Sequence, residues 1–270
     1  MYQWINQQIK AQSEKPFNAR AAKYGDGFFE TIYADGDNLF LFDLHYERII
    51  KSFKYLYFNE ANLPTKEALK NTITEHLLSQ STEQSRISLH FYRDAIGFYT
   101  PSSNDASFNI SIQRLDVPTN KENYSIGIYT ENKKYANPIS EIKSSNALIS
   151  VLAASWKAMA GIDDAIILNH ENNICEATAS NIFIIKDKKI ITPPLRDAPI
   201  DGVMRRFIIE TLLEKNIIVI EKSISDKELF DADEVFLSNT MQKIQSVSSF
   251  GNSIEYGRKY TEELRLLLGL

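Results

Sequence analysis

Apolar positions recur along this chain with two periods, and the places where the period changes mark its elements. Residues 26–34, Asp-Gly-Phe-Phe-Glu-Thr-Ile-Tyr-Ala, are rich in aromatic and β-branched types, as are residues 38–42, and Asp35-Gly36-Asp37 between them reads as a hairpin turn. After Asp43 the period lengthens: Leu44, Ile49, Ile50, Phe53 and Leu56 fall at helical spacing, with Asp43 placed as the cap. Pro64-Thr65-Lys66-Glu67 opens a second helix that runs to about Leu78. Strands follow at 86–92 and 106–113, on either side of the turn-rich residues 100–105.

The polar, Pro-containing stretch that follows Leu115 separates two lobes: a small N-terminal lobe over 1–116, a linker over 117–123 and a larger C-terminal lobe over 124–270. The second lobe opens with a strand at 125–130 and an Ala-rich helix at 146–160 that Gly161 ends. Short β segments are expected at 164–169, 182–186 and 189–192. A helix opening at 200–205 and running to about Lys215 comes next, then strands at 217–220 and 234–237. Strands outnumber helices, which predicts an α+β chain with an antiparallel or mixed, barrel-like sheet rather than a doubly wound parallel one.

Composition narrows the function. With 43% apolar and 24% charged residues and a net charge of -5, the chain has neither the signature of disorder nor that of a broad nucleic-acid surface. Cys175 is the single cysteine, which excludes an intramolecular disulfide and a cysteine-based zinc cluster and fits a reducing cytosol. His45, His76, His90 and His170 are scattered without the paired spacing of a zinc hydrolase, so no metal is expected. The first residues lack the basic stretch and apolar core of a secretory signal, and no run reaches the ~18 apolar residues of a membrane span. A cytoplasmic protein with no membrane or nucleic-acid partner is the expectation.

Lys143 lies in Glu-Ile-Lys-Ser-Ser-Asn, residues 141–146, and about thirty residues on comes Glu176-Ala-Thr-Ala-Ser-Asn181, ahead of the apolar run 182–185. A lysine, a glutamate and an asparagine in that order suggest a pyridoxal phosphate site, the lysine carrying the cofactor and the carboxylate keeping its pyridine ring protonated. Other motifs fall in register with these. Tyr24-Gly25-Asp26-Gly27-Phe28-Phe29-Glu30-Thr31 has two glycines that bracket a close backbone approach before a strand. Leu44-His45-Tyr46-Glu47-Arg48 lies on the helix after the hairpin, and Gly202-Val203-Met204-Arg205 and Ser238-Asn239-Thr240-Met241 come late in the chain.

Taken together these motifs resemble the class IV, or fold type IV, pyridoxal phosphate enzymes, a group that includes branched-chain aminotransferases, D-amino acid aminotransferases and 4-amino-4-deoxychorismate lyases. The match spans roughly residues 20 to 250. The resemblance implies a two-lobe fold, a small N-terminal α/β sandwich and a larger barrel-like C-terminal lobe that carries the lysine. It makes Lys143 the Schiff-base lysine and proton carrier, Arg48 a phosphate ligand, Glu176 the partner of the ring nitrogen and Asn181 a residue that fixes local backbone. It puts the cofactor phosphate on the N–H groups of Val203 and Met204, with the Thr240 hydroxyl added. Many relatives have Thr where this chain has Met204. Tyr24, Phe29, Arg93, Thr240 and Met241 become candidate substrate contacts, and a homodimer is implied.

The reaction is read from departures. The Arg-x-His pair typical of D-amino acid aminotransferases is missing from Phe91-Tyr92-Arg93-Asp94-Ala95-Ile96-Gly97, and Ala147 replaces the tyrosine that branched-chain enzymes place after the asparagine. The expected activity is transfer of an α-amino group between an amino acid and a 2-keto acid. The alternatives are 4-amino-4-deoxychorismate lyase, which eliminates pyruvate to give 4-aminobenzoate, and a non-catalytic α+β interaction module.

Overall fold

The computed structural model describes residues 2–5, 8–11, 19–80, 83–115, 120–251 and 253–270. The chain divides into two compact units, Met1–Pro118 with Ile142–Asn146, and Thr119–Glu141 with Ala147–Leu270. Residues 117–119 of the expected linker 117–123 fall outside the described residues. Residues 142–146, which the sequence places in the C-terminal lobe, group instead with the first unit, because their backbone pairs with a strand there.

In the first unit the described strands are β1 (Tyr2–Ile5), β2 (Gln8–Ala11), β3 (Gly27–Asp35), β4 (Asn38–Leu39), β5 (Gln84–Arg93) and β6 (Ala106–Arg114), accompanied by helices α1 (Ala19–Tyr24), α2 (Phe42–Tyr55) and α3 (Lys66–Gln80). The strands form one antiparallel sheet in the order β2-β1-β6-β5-β3-β4. Side chains alternate across it, so Phe28, Ile32 and Ala34 of β3 share one face with Ile87, Leu89 and Phe91 of β5. That face packs on Ile49 and Phe53 of α2 and Leu69, Ile73 and Leu77 of α3. Phe28 stacks on Phe91 at 4.9 Å, and Phe53 meets both edge-on. Each such aromatic contributes ~1.5–3 kcal/mol by leaving water.

Two local expectations change here. The segment 38–42 is strand only over Asn38–Leu39, since Leu41 takes a left-handed conformation (φ 55°) and turns the chain into α2. Asp43 therefore lies inside the first turn rather than capping it; there it complements the helix dipole and pairs with Lys66 at 3.2 Å.

Glu30 points from β3 into the same core and is fully buried. Arg48 of α2 donates to it from Nε at 2.7 Å and Nη2 at 2.6 Å, and His45 shares a 2.7 Å hydrogen bond with its second oxygen. Burial alone would push the Glu30 carboxyl up, but the Arg48 charge and the hydrogen bonds from Arg48 and His45 outweigh it and hold the group at about 2.

The second unit contains β7 (Ser125–Lys134), α4 (Leu148–Ala160), β8 (Asp164–Asn169), β9 (Ile174–Ala177), β10 (Asn181–Lys186), β11 (Lys189–Thr192), α5 (Val203–Glu214), β12 (Val219–Glu221), α6 (Asp226–Phe230), β13 (Glu234–Asn239), β14 (Lys243–Val247), β15 (Ser249–Phe250), β16 (Ile254–Glu255) and α7 (Lys259–Leu268). Two mixed sheets result, β12-β11-β10-β13-β14 and β16-β15-β7-β8-β9. Ile126, Ile166 and Ile174 of one pack with Ile182, Ile184, Val235 and Leu237 of the other as a common core. Helix α4 covers the opposite face of β7 and β8 with Ala153 and Trp156, and Gly161 ends it at φ 68°.

Glu30→Gln keeps the volume but leaves the buried Arg48 guanidinium without its carboxylate, so it should cost about 3–5 kcal/mol at neutral pH. The folded-state pKa of Glu30 is depressed, so its contribution is present above pH 4.5 and fades as the pH falls toward about 2. Urea unfolding at several pH values should show wild type losing stability across that window and the variant losing less; equal stability at pH 7 would contradict this assignment.

Candidate active site

In the first unit Lys143 is stationed by main chain. Phe29 N–H donates to Lys143 O at 2.9 Å, Ser145 N–H donates to Gly27 O at 2.9 Å, and Phe28 and Ser144 form an antiparallel bridge. Residues 142–146 thus lie along the start of β3. The approach requires the two glycines: a Cβ on Gly27 would lie 2.5 Å from Phe91 O and 3.3 Å from Ser145 Oγ, and Gly25 holds φ +61° with Asn146 N 3.3 Å from its Cβ position. The Lys143 ammonium stands 4.2 Å from the centroid of the Phe29 ring, within cation–π range.

Phe29 is directly opposite His90 in the β3–β5 register, and Tyr92 lies two residues further on the same face. His90 Nε2 and Ser145 Oγ share a 2.9 Å hydrogen bond, and burial pushes the His90 imidazole down, favouring its neutral form. The Tyr92 hydroxyl is buried with no partner among the described residues; burial, helped by the Asp94 charge, pushes it up to about 12. An uncharged donor therefore sits on the Phe29 face.

The other first-unit candidates are placed differently. Tyr24 is half-buried, its ring 5.4 Å from that of Tyr99 and under the Arg20 guanidinium. Arg48 is buried in the Glu30–His45 cluster, on the core side of β3, so its guanidinium is bound to a carboxylate of this protein. Arg93 corrects the substrate expectation more directly. Its Nε donates to Asp26, Nη1 to Asn104 at 2.7 Å and Nη2 to Leu56 O at 2.7 Å, while Phe58 covers its face. A guanidinium with every nitrogen engaged internally holds the loop after β5 and is not presented to a substrate carboxylate.

In the second unit Glu176 and Asn181 converge on one residue. Glu176, buried on β9, accepts the Ile200 N–H on Oε2 at 2.8 Å, and Asn181, at the start of β10, donates from Nδ2 to Ile200 O at 2.8 Å. Ile200 is thus clamped at both ends, three residues before the first residue of α5. At Gly202 a Cβ would fall 1.9 Å from Asn181 Oδ1, so only glycine lets α5 begin there. Glycine also brings no capping side chain, which leaves the first N–H groups of the helix, at the buried Val203 and Met204, at its positive end. Ser238 lies opposite Asn181 across β10 and β13, on the same face, and its buried hydroxyl has no partner among the described residues. Asn239 Oδ1 accepts the N–H groups of Met241 and Gln242, at 2.9 and 2.7 Å, and this turn places the buried Thr240 beside the half-buried Met241.

The donor set suits a phosphate, which helix N-termini and hydroxyls bind. In the second unit the buried carboxylate suits a pyridinium N–H; in the first unit the lysine amine suits an aldehyde. Sequence reading missed Lys134, whose Nζ donates to Glu176 Oε1 at 2.6 Å, as well as Ser238 and the Glu30–His45 pair. Ser238, Glu30 and His45 each stood inside a quoted motif, whereas Lys134 left no signal.

Comparison with known proteins agrees: the family model described as amino-transferase class IV matches residues 27–250. The chain belongs to this family. Its enzymes are aminotransferases and lyases that depend on pyridoxal phosphate. The chain is 29% identical, over 83% of its length, to "Branched-chain-amino-acid aminotransferase-like protein 2" of Arabidopsis thaliana, of which it spans 41%. It is 27% identical to the aminodeoxychorismate lyase of Vibrio harveyi over 94% of both chains. The solved branched-chain amino acid aminotransferase of Escherichia coli superposes with a TM-score of 0.85 at 23% identity, covering 100% of this chain and 93% of the other, a likeness of fold. The fold is the type IV architecture that the motifs implied.

Gly202→Ala should cost about 1–3 kcal/mol by forcing the Asn181 amide aside. Combining it with Asn181→Ala should recover most of that loss, because the clash partner is gone. Thermal unfolding of the two single variants and the double variant checks this; strictly additive losses would show that the two residues do not meet.

Proposed function

We propose that this class IV family member binds pyridoxal 5'-phosphate and acts as an aminotransferase, moving an α-amino group between an amino acid and a 2-keto acid. The observation that carries the reading is the Ile200 clamp, which ties a buried carboxylate to the uncapped start of α5, one group suited to a ring nitrogen and the other to a phosphate. The cofactor, once bound, supplies an aldehyde for an amine and a ring that accepts electrons from the substrate α carbon.

The chain's own residues then have separable roles. Glu176 would be the carboxylate partner of the ring nitrogen and would favour its protonated form. The N–H groups of Val203 and Met204 would hold phosphate oxygens, with the hydroxyls of Thr240 and Ser238 as further donors. Lys143 would be the covalent attachment point for the cofactor, and its free amine would hold and move the substrate's α proton. Phe29 and Tyr92 form an apolar wall with one phenol donor, while Tyr24 and Met241 are further substrate contacts.

A second reading, pyruvate elimination from 4-amino-4-deoxychorismate, is favoured by the likeness to the Vibrio harveyi lyase over nearly all of both chains. It uses the same lysine and carboxylate but needs no keto acid. The protein works as a homodimer in a compartment that keeps thiols reduced, the cytoplasm: α4 exposes Leu148, Val151 and Met159, an apolar stripe that a second copy would cover, and Cys175 is buried and unpaired.

Adding L- and D-amino acids to protein reconstituted with pyridoxal phosphate, without keto acid, should convert its visible absorption band to that of the pyridoxamine form with one stereochemical series. A band that no amino acid alters, with pyruvate released from 4-amino-4-deoxychorismate, would select the lyase. Sedimentation of the holoprotein should give a dimer, and an active monomer would refute the dimer.

A further inference from the structure

Lys134 and Glu176 belong to strands that do not touch. Lys134 ends β7 and Glu176 lies in β9, with β8 between them. The ladder from β7 to β8 slips between Tyr129 and Lys134, and that from β8 to β9 slips between Ile167 and Leu168. The two side chains meet across β8 beside these irregularities, with Nζ 2.6 Å from Oε1 and only 15% and 5% of the side chains exposed. A lysine this buried is uncommon. Burial alone would push its ammonium down, yet the Glu176 charge and hydrogen bond raise it above the ordinary lysine value.

The carboxylate is therefore gripped at both oxygens, by an ammonium on Oε1 and by the Ile200 N–H on Oε2. We propose that Lys134 is a positioning residue for the cofactor: it holds the Glu176 carboxylate in one orientation before a ring nitrogen arrives. This rests on the reading of Glu176 as the partner of that nitrogen. Without the ammonium a buried carboxylate loses its charged partner and is free to turn away, and the contact opposite the ring is lost. Each oxygen keeps a second lone pair, so a carboxylate held in this way still accepts a hydrogen bond.

A purely architectural role, stapling β7 to β9, makes a different prediction, and a cofactor analogue separates the two. Pyridoxal 5'-phosphate and its 1-deaza analogue, which has carbon in place of the ring nitrogen, share the phosphate and the aldehyde. Only the first can use Glu176. Dissociation constants for both are to be measured by equilibrium titration of the apoprotein for wild type, Glu176→Gln, Lys134→Met and Lys134→Arg, with Lys134→Gln replacing Lys134→Met if that variant does not fold.

Wild type should favour the natural cofactor by roughly tenfold or more, one pK unit of differential interaction. Glu176→Gln should lose that preference. Lys134→Met should lose it too while binding the deaza analogue as wild type does, and Lys134→Arg, which keeps the charge, should retain it. Equal weakening toward both compounds in Lys134→Met, or an undiminished preference, overturns the proposal and leaves the Glu176 reading standing. No preference in wild type overturns the Glu176 reading and the proposal with it.

Discussion

The pairing of residues 142–146 with the first residues of β3 is the constraint on which the candidate chemistry depends. A lysine on a free loop samples many rotamers and stays solvated. Here two 2.9 Å backbone hydrogen bonds and an antiparallel bridge fix the Lys143 main chain, and the Phe29 ring sets the position of its amine. The Tyr24-Gly25-Asp26-Gly27 motif and the Lys143 motif, more than a hundred residues apart, are therefore one structural device. Gly27 has no side chain because Phe91 O and Ser145 occupy the space, and Gly25 because the chain turns there at φ +61° against Asn146. Asp26, between them, accepts from Arg20 and Arg93 and anchors the turn in turn to α1 and β5.

The second unit repeats the principle with different parts. Glu176 and Asn181 take the N–H and the C=O of Ile200, which ties a short strand, the start of the next strand and the entry to α5 together. The cost falls on Gly202, which cannot carry a side chain, and α5 starts without a side-chain cap. Function in both units is positioned by main-chain contacts of a few residues, while the cores of Phe28, Phe53 and Phe91 and of Ile126, Ile182 and Val235 supply the rigidity behind them.

What could be read from the sequence follows from how local each signal is. The run at 164–169 is β8 as expected, since a continuous apolar stretch between turns has few other uses. Strand β9 escaped because Ile174-Cys175-Glu176-Ala177 is four residues long with a charge inside it, and a buried glutamate reads as a loop residue until its partners are known. Asp43 suits a helix cap by type, yet the turn from the hairpin is made one and two residues earlier. Arginines are the hardest case. Whether Arg48 and Arg93 face solvent, a ligand or a buried carboxylate is decided by strand register and helix packing, and a motif alone does not record either. Lys134 is beyond local reading altogether, as its partner lies 42 residues away across an intervening strand.

The central claim is that Lys143, and no other lysine, carries the cofactor. Its most direct test is to load the protein with pyridoxal 5'-phosphate, reduce it with borohydride so that the lysine linkage becomes permanent, and map the modified peptide by mass spectrometry. The account predicts one stoichiometric adduct, on the peptide that contains Lys143. An adduct on a different lysine, or none after reduction of saturated protein, would contradict it.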